Sequence, residues 1–190
     1  MKKHKKLLIA LAVLAALLLA AAFFLRWAHT RFLQTMYPRE YSESVVAEAK
    51  ENGLDPNLVY AVIRQESRFK ANAKSGAGAI GLMQLTPATF EWLQKKETGK
   101  AALSGDALCE PSVNIHYGCR FLGLLIKKYG TAHTALCAYN AGQGRVDAWL
   151  KDSSLSSDGK NLSSVPYAET GDYVRKVEDN YRQYKALYGT

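Results

Sequence analysis

The amino-acid sequence opens with MKKHKK and then runs from Leu7 to Leu25 without a charged side chain. A helix of about 20 apolar residues spans the hydrocarbon core of a bilayer, so this run is just long enough to cross a membrane. A buried core helix would also be apolar, but it would not need the four lysines that stand in front of it. We therefore predict a transmembrane helix within residues 1–28.

A cleaved signal peptide is the alternative interpretation of this segment. The apolar region of a signal peptide usually has about 7–15 residues, followed by small residues at the cleavage site. Alanines at positions 20–22 resemble such a site, but Phe23, Phe24 and Leu25 continue the apolar run beyond it. We expect an uncleaved single-pass anchor whose lysines remain in the cytoplasm, so that the following domain lies outside the cytoplasmic membrane. If the signal were cleaved, that domain would be secreted.

The rest of the chain is expected to be a linker at residues 29–40 and one globular domain at residues 41–190. Six bases and no acid precede Tyr37, so only +2 of the net charge of +8 belongs to the residues that follow. A nearly neutral domain lacks the basic surface that binds phosphate backbones, and we expect no nucleic-acid partner.

The domain is predicted to be mainly α, because helix start and stop signals recur along it. Ser42 can cap a first helix that Gly53 ends, and Asp55 with the following proline can begin a second helix that reaches Phe69. The polar segment 151–164 is typical of a surface loop, and no long alternating stretch indicates a strand. Further helices are expected after Thr86-Pro87, from Pro111 to Gly130, through TAHTALCAYNAG, around Val146 to Leu150, and after Thr170.

The stretch GAGAIG at residues 76–81 matches the G-x-G-x-x-G pattern of dinucleotide-binding sites. That pattern is specific only between a strand and a helix, whereas here it follows a predicted helix and a polar turn. We therefore expect no nucleotide partner. The glycines are better explained by a close approach of the backbone to a ligand or to another segment.

Glu66 is a carboxylate on the apolar side of its own predicted helix, three residues after Ile63 and four after Val62. Poor solvation disfavours the charged form of a carboxyl group, so the pKa of Glu66 should rise. A carboxylic acid that keeps its proton near neutral pH can protonate a leaving oxygen. The structural alternative is a glutamate that is tied to Arg64, to Arg68 or to a helix end.

The three cysteines, Cys109, Cys119 and Cys137, cannot all pair within a monomer, and the sequence leaves their pairing open. His116 stands three residues before Cys119, a spacing that could form half of a metal site. No second half is evident, so neither a metal nor another cofactor is expected.

Three sequence blocks occur in order between residues 55 and 181. The first is ESRFKANAKSGAGAIGLMQLTP from Glu66, the second is Asn114-Ile115 with AYNAG at 138–142, and the third joins Pro166-Tyr167, Glu169-Thr170 and Tyr173-Val174. Together they resemble the lytic transglycosylases of the soluble murein transglycosylase family, which share a goose-type lysozyme-like domain. The resemblance implies a single helical domain of the α+β lysozyme-like superfamily.

The resemblance also implies an activity, which is cleavage of the β-1,4 bond between N-acetylmuramic acid and N-acetylglucosamine in the glycan strands of peptidoglycan. Glu66 would act as the general acid and then as the base, while the C6 hydroxyl of the muramic acid attacks C1 and leaves a 1,6-anhydro ring. The substrate-binding residues implied by the same resemblance are Ser75, Met83, Gln84, Tyr139, Asn140 and Glu169.

Alternatives remain for two of these residues and for the function itself. Tyr139 could be a core aromatic, and Glu169 could serve only as an acid near a helix N-terminus. A hydrolytic muramidase and a wall-binding protein without activity are the competing functions. Most glycosidases use two carboxylates, and no other acid shares an apolar stripe with Glu66, which favours the transglycosylase.

Overall fold

The computed structural model describes residues 2–189, which form eight α-helices and one 3-10 helix without any strand. The predicted mainly α class is confirmed. The helices are α1 Lys2–Met36, α2 Ser42–Glu51, α3 Pro56–Glu66, α4 Pro87–Thr98, the 3-10 helix Gly105–Cys109, α5 Pro111–Tyr129, α6 Ala132–Ala141, α7 Gln143–Trp149 and α8 Ala168–Tyr188.

The chain divides into two structural units, one up to residue 38 and one from residue 39 onwards. The first unit holds α1, whose most apolar 18-residue window has a mean hydropathy of 3.0 and is not buried in the protein. The length and composition of α1 suit a membrane-crossing helix, although a signal sequence near an N-terminus has the same properties. The segment predicted as a linker is helical as far as Met36.

The second unit is organised around α3, in which every residue from 57 to 63 is buried. A helix that is buried on all sides must be covered by several neighbours. The long helix α8 packs along α3, and the rings of Tyr60 and Tyr184 stack with centroids 5.5 Å apart. α2 also packs on α3, while α5 pairs with α6. This packing fixes the position of Glu66, the last residue of α3.

The predicted starts of α3 and α4 are confirmed, and each has a local side-chain cap. The Asp55 carboxylate accepts a hydrogen bond from the backbone N–H of Asn57 at 2.8 Å, which caps α3. The Thr86 hydroxyl accepts one from the N–H of Thr89 at 3.2 Å, which caps α4. Both caps are followed by a proline in the first turn, where a missing N–H costs nothing.

Two predicted helix starts are wrong. Ser42 is the first residue of α2 and not its cap, because the capping position is taken by Tyr41 with a positive φ of 56°. α8 begins at Ala168, before the predicted start at Thr170, whose hydroxyl donates to the Asn140 side chain at 2.8 Å.

One predicted helix end is also wrong. α3 stops at Glu66, three residues before Phe69, because Arg68 and Phe69 take φ values of 52° and 64° that no right-handed helix contains. The chain therefore turns away immediately after Glu66.

The structure shows what surrounds the three cysteines and His116. Cys109, Cys119 and Cys137 are all free thiols, and Cys119 and Cys137 are buried. His116 lies between two carboxylates, with Nδ1 3.0 Å from Glu48 and Nε2 3.3 Å from Glu97. Within residues 2–189, no group of three or more His, Cys, Asp or Glu side chains could hold a metal ion.

Candidate active site

Glu66 is partly buried at the end of α3, and its Oε1 accepts a hydrogen bond of 2.7 Å from the Tyr173 hydroxyl. Burial raises the pKa of Glu66 to about 7, and the hydrogen bond from Tyr173 opposes this rise by a smaller amount. An arginine is not among the causes of the shift. The carboxyl group is therefore present in both protonation states near neutral pH and can both give and take a proton.

Tyr173 is a functional candidate that sequence reasoning treated only as an apolar residue of the last helix. It lies in the first half of α8 and is buried, with 6% of its surface exposed. Burial raises the pKa of Tyr173 well above its usual value, and the negative charge of Glu66 adds to the rise. The phenol thus stays protonated and is a permanent hydrogen-bond donor to Glu66. The sequence signal that could have identified Tyr173 as a site residue was its place in the third sequence block.

Tyr139 connects α6 to the loop that follows α3. Its hydroxyl donates to the backbone carbonyl of Met83 at 2.8 Å, and its ring centroid lies 5.2 Å from that of Phe121. Burial and then the charge of Glu66 raise the pKa of Tyr139 well above its usual value. Tyr139 therefore packs against the core, as expected if it were only a core aromatic residue, and it also lies near Glu66.

The loop at residues 67–86 is closed by its own side chains. The Ser75 hydroxyl accepts a hydrogen bond of 3.0 Å from the N–H of Ala79, which closes a tight turn. Gln84, with a φ of 49°, donates both hydrogens of its amide, one to Ala73 at 3.1 Å and one to Gly81 at 2.9 Å. Ser75 and Gln84 thus belong to one folded loop rather than to two separate segments.

Asn114 fastens this loop to α5. The side chain is completely buried, accepts from the N–H of Met83 at 2.7 Å, and donates to the carbonyls of Ile80 at 2.9 Å and Leu108 at 2.8 Å. These hydrogen bonds help to satisfy buried backbone groups, although the Ile80 carbonyl also accepts from the N–H of Leu85 at 3.1 Å. One side chain therefore holds three segments together beside Tyr139.

Gly81 explains the glycine pattern of this loop. Its φ is 83°, and a Cβ added there would lie 2.1 Å from Asn114 Nδ2 and 2.2 Å from the Leu108 carbonyl oxygen. No neighbouring atom would come within 4 Å of a Cβ at Gly76 or Gly78. The expected close approach of the backbone to another segment is confirmed at Gly81.

Met83 is placed where its side chain cannot reach a ligand directly. It is completely buried and lies against Gly118, where an added Cβ would be 2.2 Å from the Met83 sulfur. Both backbone groups of Met83 are hydrogen-bonded, to Asn114 and to Tyr139. Substrate binding by the Met83 side chain stays a prediction that this placement does not favour.

A polar cleft of about 340 Å³ opens beside Tyr173. It brings together Asn140 and Glu169, both exposed, with Gln65, the neighbour of Glu66. The cleft also contains Asp172, an acid that sequence reasoning missed because it lies on an exposed face of α8. Its lining residues are Gln65, Asn140, Glu169, Asp172, Tyr173 and Lys176.

The chain matches the family model of the Transglycosylase SLT domain over residues 43–161. It is 32% identical over 153 residues to the soluble lytic murein transglycosylase of Salmonella typhimurium, covering 80% of this chain and 23% of that protein. It is 29% identical over 169 residues to the membrane-bound lytic murein transglycosylase C of Haemophilus ducreyi, covering 77% of this chain and 46% of that protein.

Two solved structures resemble the fold. The lytic transglycosylase Slt of Pseudomonas aeruginosa, solved as an inactive glutamate-to-glutamine mutant, has a TM-score of 0.69 and 34% identity, covering 81% of this chain and 25% of that one. The 70 kDa soluble lytic transglycosylase of Escherichia coli has a TM-score of 0.73 and 28% identity, covering 83% and 26%. It has also been solved in complex with bulgecin A. The chain thus spans about a quarter of the length of these soluble relatives.

Proposed function

The chain belongs to the Transglycosylase SLT domain family, and on that premise we propose that it is a lytic transglycosylase acting on the glycan strands of peptidoglycan. The bond cleaved is the β-1,4 bond between N-acetylmuramic acid and N-acetylglucosamine. The observation that carries the proposal is the partly buried carboxyl of Glu66, which has a pKa of about 7 and is held by a buried phenol 2.7 Å away. The relatives described above, which match most of the domain, are lytic murein transglycosylases, and this supports the same activity.

In the first step, protonated Glu66 donates its proton to the glycosidic oxygen as the bond from C1 of the muramic acid to that oxygen breaks. The departing sugar leaves with the proton as its new hydroxyl hydrogen. Glu66 becomes a carboxylate, and the hydrogen bond from Tyr173 stabilises the new charge. A phenol that is already in place stabilises this charge without reorganising during the reaction.

In the second step, the C6 hydroxyl of the muramic acid attacks C1 and its proton passes to the Glu66 carboxylate. The product carries a 1,6-anhydro ring, no water is consumed, and Glu66 returns to its protonated form. The attacking hydroxyl belongs to the same sugar, so it gains the high effective concentration of an intramolecular reaction. A pKa near 7 suits Glu66 for both directions of proton transfer.

We assign substrate binding to two sets of residues, one in the cleft beside Tyr173 and one in the folded loop that follows α3. Asn140 and Glu169 line the cleft beside Tyr173. Ser75 and Gln84 present their remaining hydrogen-bonding capacity from the folded loop, because the Ser75 hydroxyl hydrogen and the Gln84 Oε1 are not used in the loop contacts described above. Tyr139 positions the loop through the Met83 carbonyl.

Hydrolysis is the second candidate, because the cleft holds two exposed carboxylates, Glu169 and Asp172. A hydrolase needs a second carboxyl group at roughly 5–5.5 Å for retention or 6.5–9.5 Å for inversion. Asp172, however, pairs with Arg175 at 2.8 Å, and this ion pair lowers the pKa of Asp172. Burial and Tyr173 account for the pKa of Glu66, with no second acid among the causes.

Mass analysis of the products distinguishes the two reactions. Purified peptidoglycan is digested, treated with borohydride and weighed by mass spectrometry. A lytic transglycosylase leaves fragments with 1,6-anhydro ends that do not gain the mass of reduction. If most fragments are heavier by one water and become reduced, the chain is a hydrolase and the anhydro mechanism is wrong.

Substitution of Glu66 tests the catalytic assignment. Glu66→Gln keeps the shape of the side chain but removes the transferable proton, and we expect the rate to fall by about 10⁴-fold or more, since general acid–base catalysis contributes about 10²–10⁴-fold and here serves both steps. Asp172→Asn is the matched control and should change the rate far less. A comparable loss for both variants would favour the two-carboxylate hydrolase.

We further propose that α1 anchors the enzyme in the cytoplasmic membrane, with the catalytic domain on the outer side where peptidoglycan lies. The uninterrupted apolar run and the lysines in front of it support this orientation. The similarity to the membrane-bound lytic murein transglycosylase C of Haemophilus ducreyi is consistent with an anchor.

A further inference from the structure

Two consecutive residues that are not glycine, Arg68 and Phe69, adopt left-handed backbone angles just after Glu66, and the reaction above uses neither of them. We propose that Phe69 is a positioning residue for Glu66, because its ring packs on Tyr60 and so holds the left-handed turn that ends α3. The inference rests on the function proposed above, since it concerns the same carboxyl group.

The turn is unfavourable when it is considered by itself. Residues with a Cβ adopt left-handed angles at a cost, and usually only as single residues, whereas here φ is 52° at Arg68 and 64° at Phe69. The N–H of Lys70 donates to the Ser67 carbonyl at 3.2 Å, which is a single local hydrogen bond across two strained residues. The sequence pattern alone predicts that α3 continues to Phe69. A contact outside the local backbone must therefore favour the turn over the continued helix.

The ring of Phe69 provides such a contact. Arg68 is exposed, but Phe69 has only 7% of its surface exposed, and its ring centroid lies 6.4 Å from that of Tyr60. Tyr60 is completely buried and stacks on Tyr184 of α8. Removal of a large apolar ring from water favours the conformation that buries it. The burial of Phe69 therefore offsets the strain of the turn.

The turn also changes the side of α3 on which this ring lies. Residues three apart are neighbours on a helix face, so a continued helix would place Phe69 beside the carboxyl group of Glu66. Tyr60 precedes Phe69 by nine positions, which is about two and a half helical turns and hence the opposite side of such a helix. The observed turn thus keeps the ring away from Glu66, which remains partly exposed and bonded to Tyr173.

The pKa of Glu66 reports whether its carboxyl group is in this position. Burial is the larger cause of the rise to about 7, and the hydrogen bond from Tyr173 of α8 opposes it. Tyr139 of α6 is also close enough for the charge of Glu66 to raise its pKa. A carboxyl group that leaves its buried position gains water, and its pKa falls towards the usual value of 4.5.

Carbon-13 NMR of the glutamate carboxyl groups tests the proposal without any need for activity. In the full-length protein in detergent, the signal that disappears in Glu66→Gln belongs to Glu66, and its titration gives the pKa. We expect Phe69→Ala to lower this pKa by about one unit. If the protein is active, the alkaline fall of kcat/KM should move to lower pH by the same amount. An unchanged titration in folded Phe69→Ala would show that Phe69 is only a core residue.

Glycine variants separate the turn from the packing of the ring. Phe69→Gly removes more of the side chain than Phe69→Ala, but glycine adopts a φ of 64° without strain. The pKa of Glu66 should therefore fall less in Phe69→Gly, and adding Arg68→Gly to Phe69→Ala should restore part of it. Equal falls for alanine and glycine would contradict a role through the turn. If Phe69→Ala does not fold, the double variant replaces it, and a folded double variant with a pKa near 4.5 would overturn the proposal.

Phe90→Ala is the matched control for the loss of a buried ring. Phe90 lies on α4, is 1% exposed and meets Tyr117 with ring centroids 4.8 Å apart. Its removal should destabilise the domain but leave the titration of Glu66 unchanged. An equal shift in Phe90→Ala would mean that any loosening of the core moves Glu66, and the inference would be wrong. Absence of cleavage by the parent protein would refute the proposed function but would not alter these titrations.

Discussion

At the scale of single residues, the proposed acid–base role depends on the surroundings of Glu66. Burial keeps the pKa of this carboxyl group near 7, and the first chemical step requires the protonated form. We expect kcat/KM to be constant below this pKa and to fall about tenfold per pH unit above it. Rates measured from pH 5 to 9 check this, and a fall centred near pH 4.5 would show that the carboxyl group is solvated.

Tyr173→Phe should move that pH dependence in a defined direction. The hydroxyl stabilises the carboxylate form, so its removal raises the pKa of Glu66 and shifts the alkaline fall of kcat/KM to higher pH. Tyr181→Phe is the matched control, because Tyr181 lies on the same helix and donates a hydrogen bond of the same 2.7 Å length to Asp55 instead. A shift in both variants, or in neither, would contradict the role of Tyr173.

Gly81 makes a prediction about stability that its neighbour Gly76 does not share. Gly81→Ala puts a Cβ against Asn114 and Leu108 at a positive φ, so we expect a loss of more than about 2 kcal/mol in the free energy of unfolding. Gly76→Ala meets open space and should change it by less than about 0.5 kcal/mol. Urea unfolding of both variants provides the measurement, and equal losses would show that the clash at Gly81 is relieved elsewhere.

At the scale of helices, His116 joins three elements, since it lies on α5 and contacts Glu48 of α2 and Glu97 near the end of α4. Burial lowers the pKa of His116, but the two carboxylates raise it by more. A neutral imidazole has one N–H and can donate to only one of them, whereas the imidazolium donates to both. Tyr117 and Arg120, on the same helix, also face Glu97.

This arrangement predicts how stability depends on pH. The pKa of His116 is higher in the folded than in the unfolded protein. The stabilisation that protonated His116 contributes is therefore complete below the unfolded pKa of about 6.5, and it is lost as the pH rises through the higher folded value. The free energy of unfolding should therefore fall more steeply from pH 6 upwards in the parent than in His116→Gln. Equal slopes in the parent and in His116→Gln would contradict this role of the imidazole.

The helices that begin with local signals were predictable from sequence, and the contacts between distant segments were not. Asp55 and Thr86 cap their helices with atoms only two or three residues away. The hydrogen bond from Tyr173 to Glu66 joins residues 107 positions apart, and no periodicity encodes such a pairing. The position of Glu66 on an apolar stripe was still visible, because a stripe is a local property of one helix.

The loop was the hardest part to predict. Arg68, Phe69 and Gln84 adopt positive φ values without glycine, so sequence alone gives no reason to end α3 at Glu66 or to fold Gln84 back onto the loop. Met83 has no helical or strand periodicity to reveal its burial. Its surroundings depend on Asn114, 31 residues later in the chain.

At the scale of the whole molecule, the fate of α1 decides where the proposed catalytic domain would act. We expect the intact protein in the membrane fraction, with an N-terminus that precedes the apolar run. Replacing Leu14 and Leu18 by lysine should reduce membrane insertion, because each charge at a helix centre costs about 2.5–3.5 kcal/mol. N-terminal sequencing is the direct measurement, and a mature chain that starts near Phe23 would show that the segment is a cleaved signal.

The attachment of the loop to α5 also determines where the domain is rigid. The amide of Met83 is hydrogen-bonded to a completely buried side chain, so in a hydrogen-exchange experiment it should be protected like a core helix even though it lies outside any helix. The conformational entropy of this loop is then lost during folding and not during binding, which is preorganisation. The cleft beside Tyr173 is lined by other residues, among them Glu169, whose side chain is exposed, and Asn140, which accepts a hydrogen bond from Thr170. The loop would thus act as a fixed template and the exposed side chains of the cleft as the part that adapts.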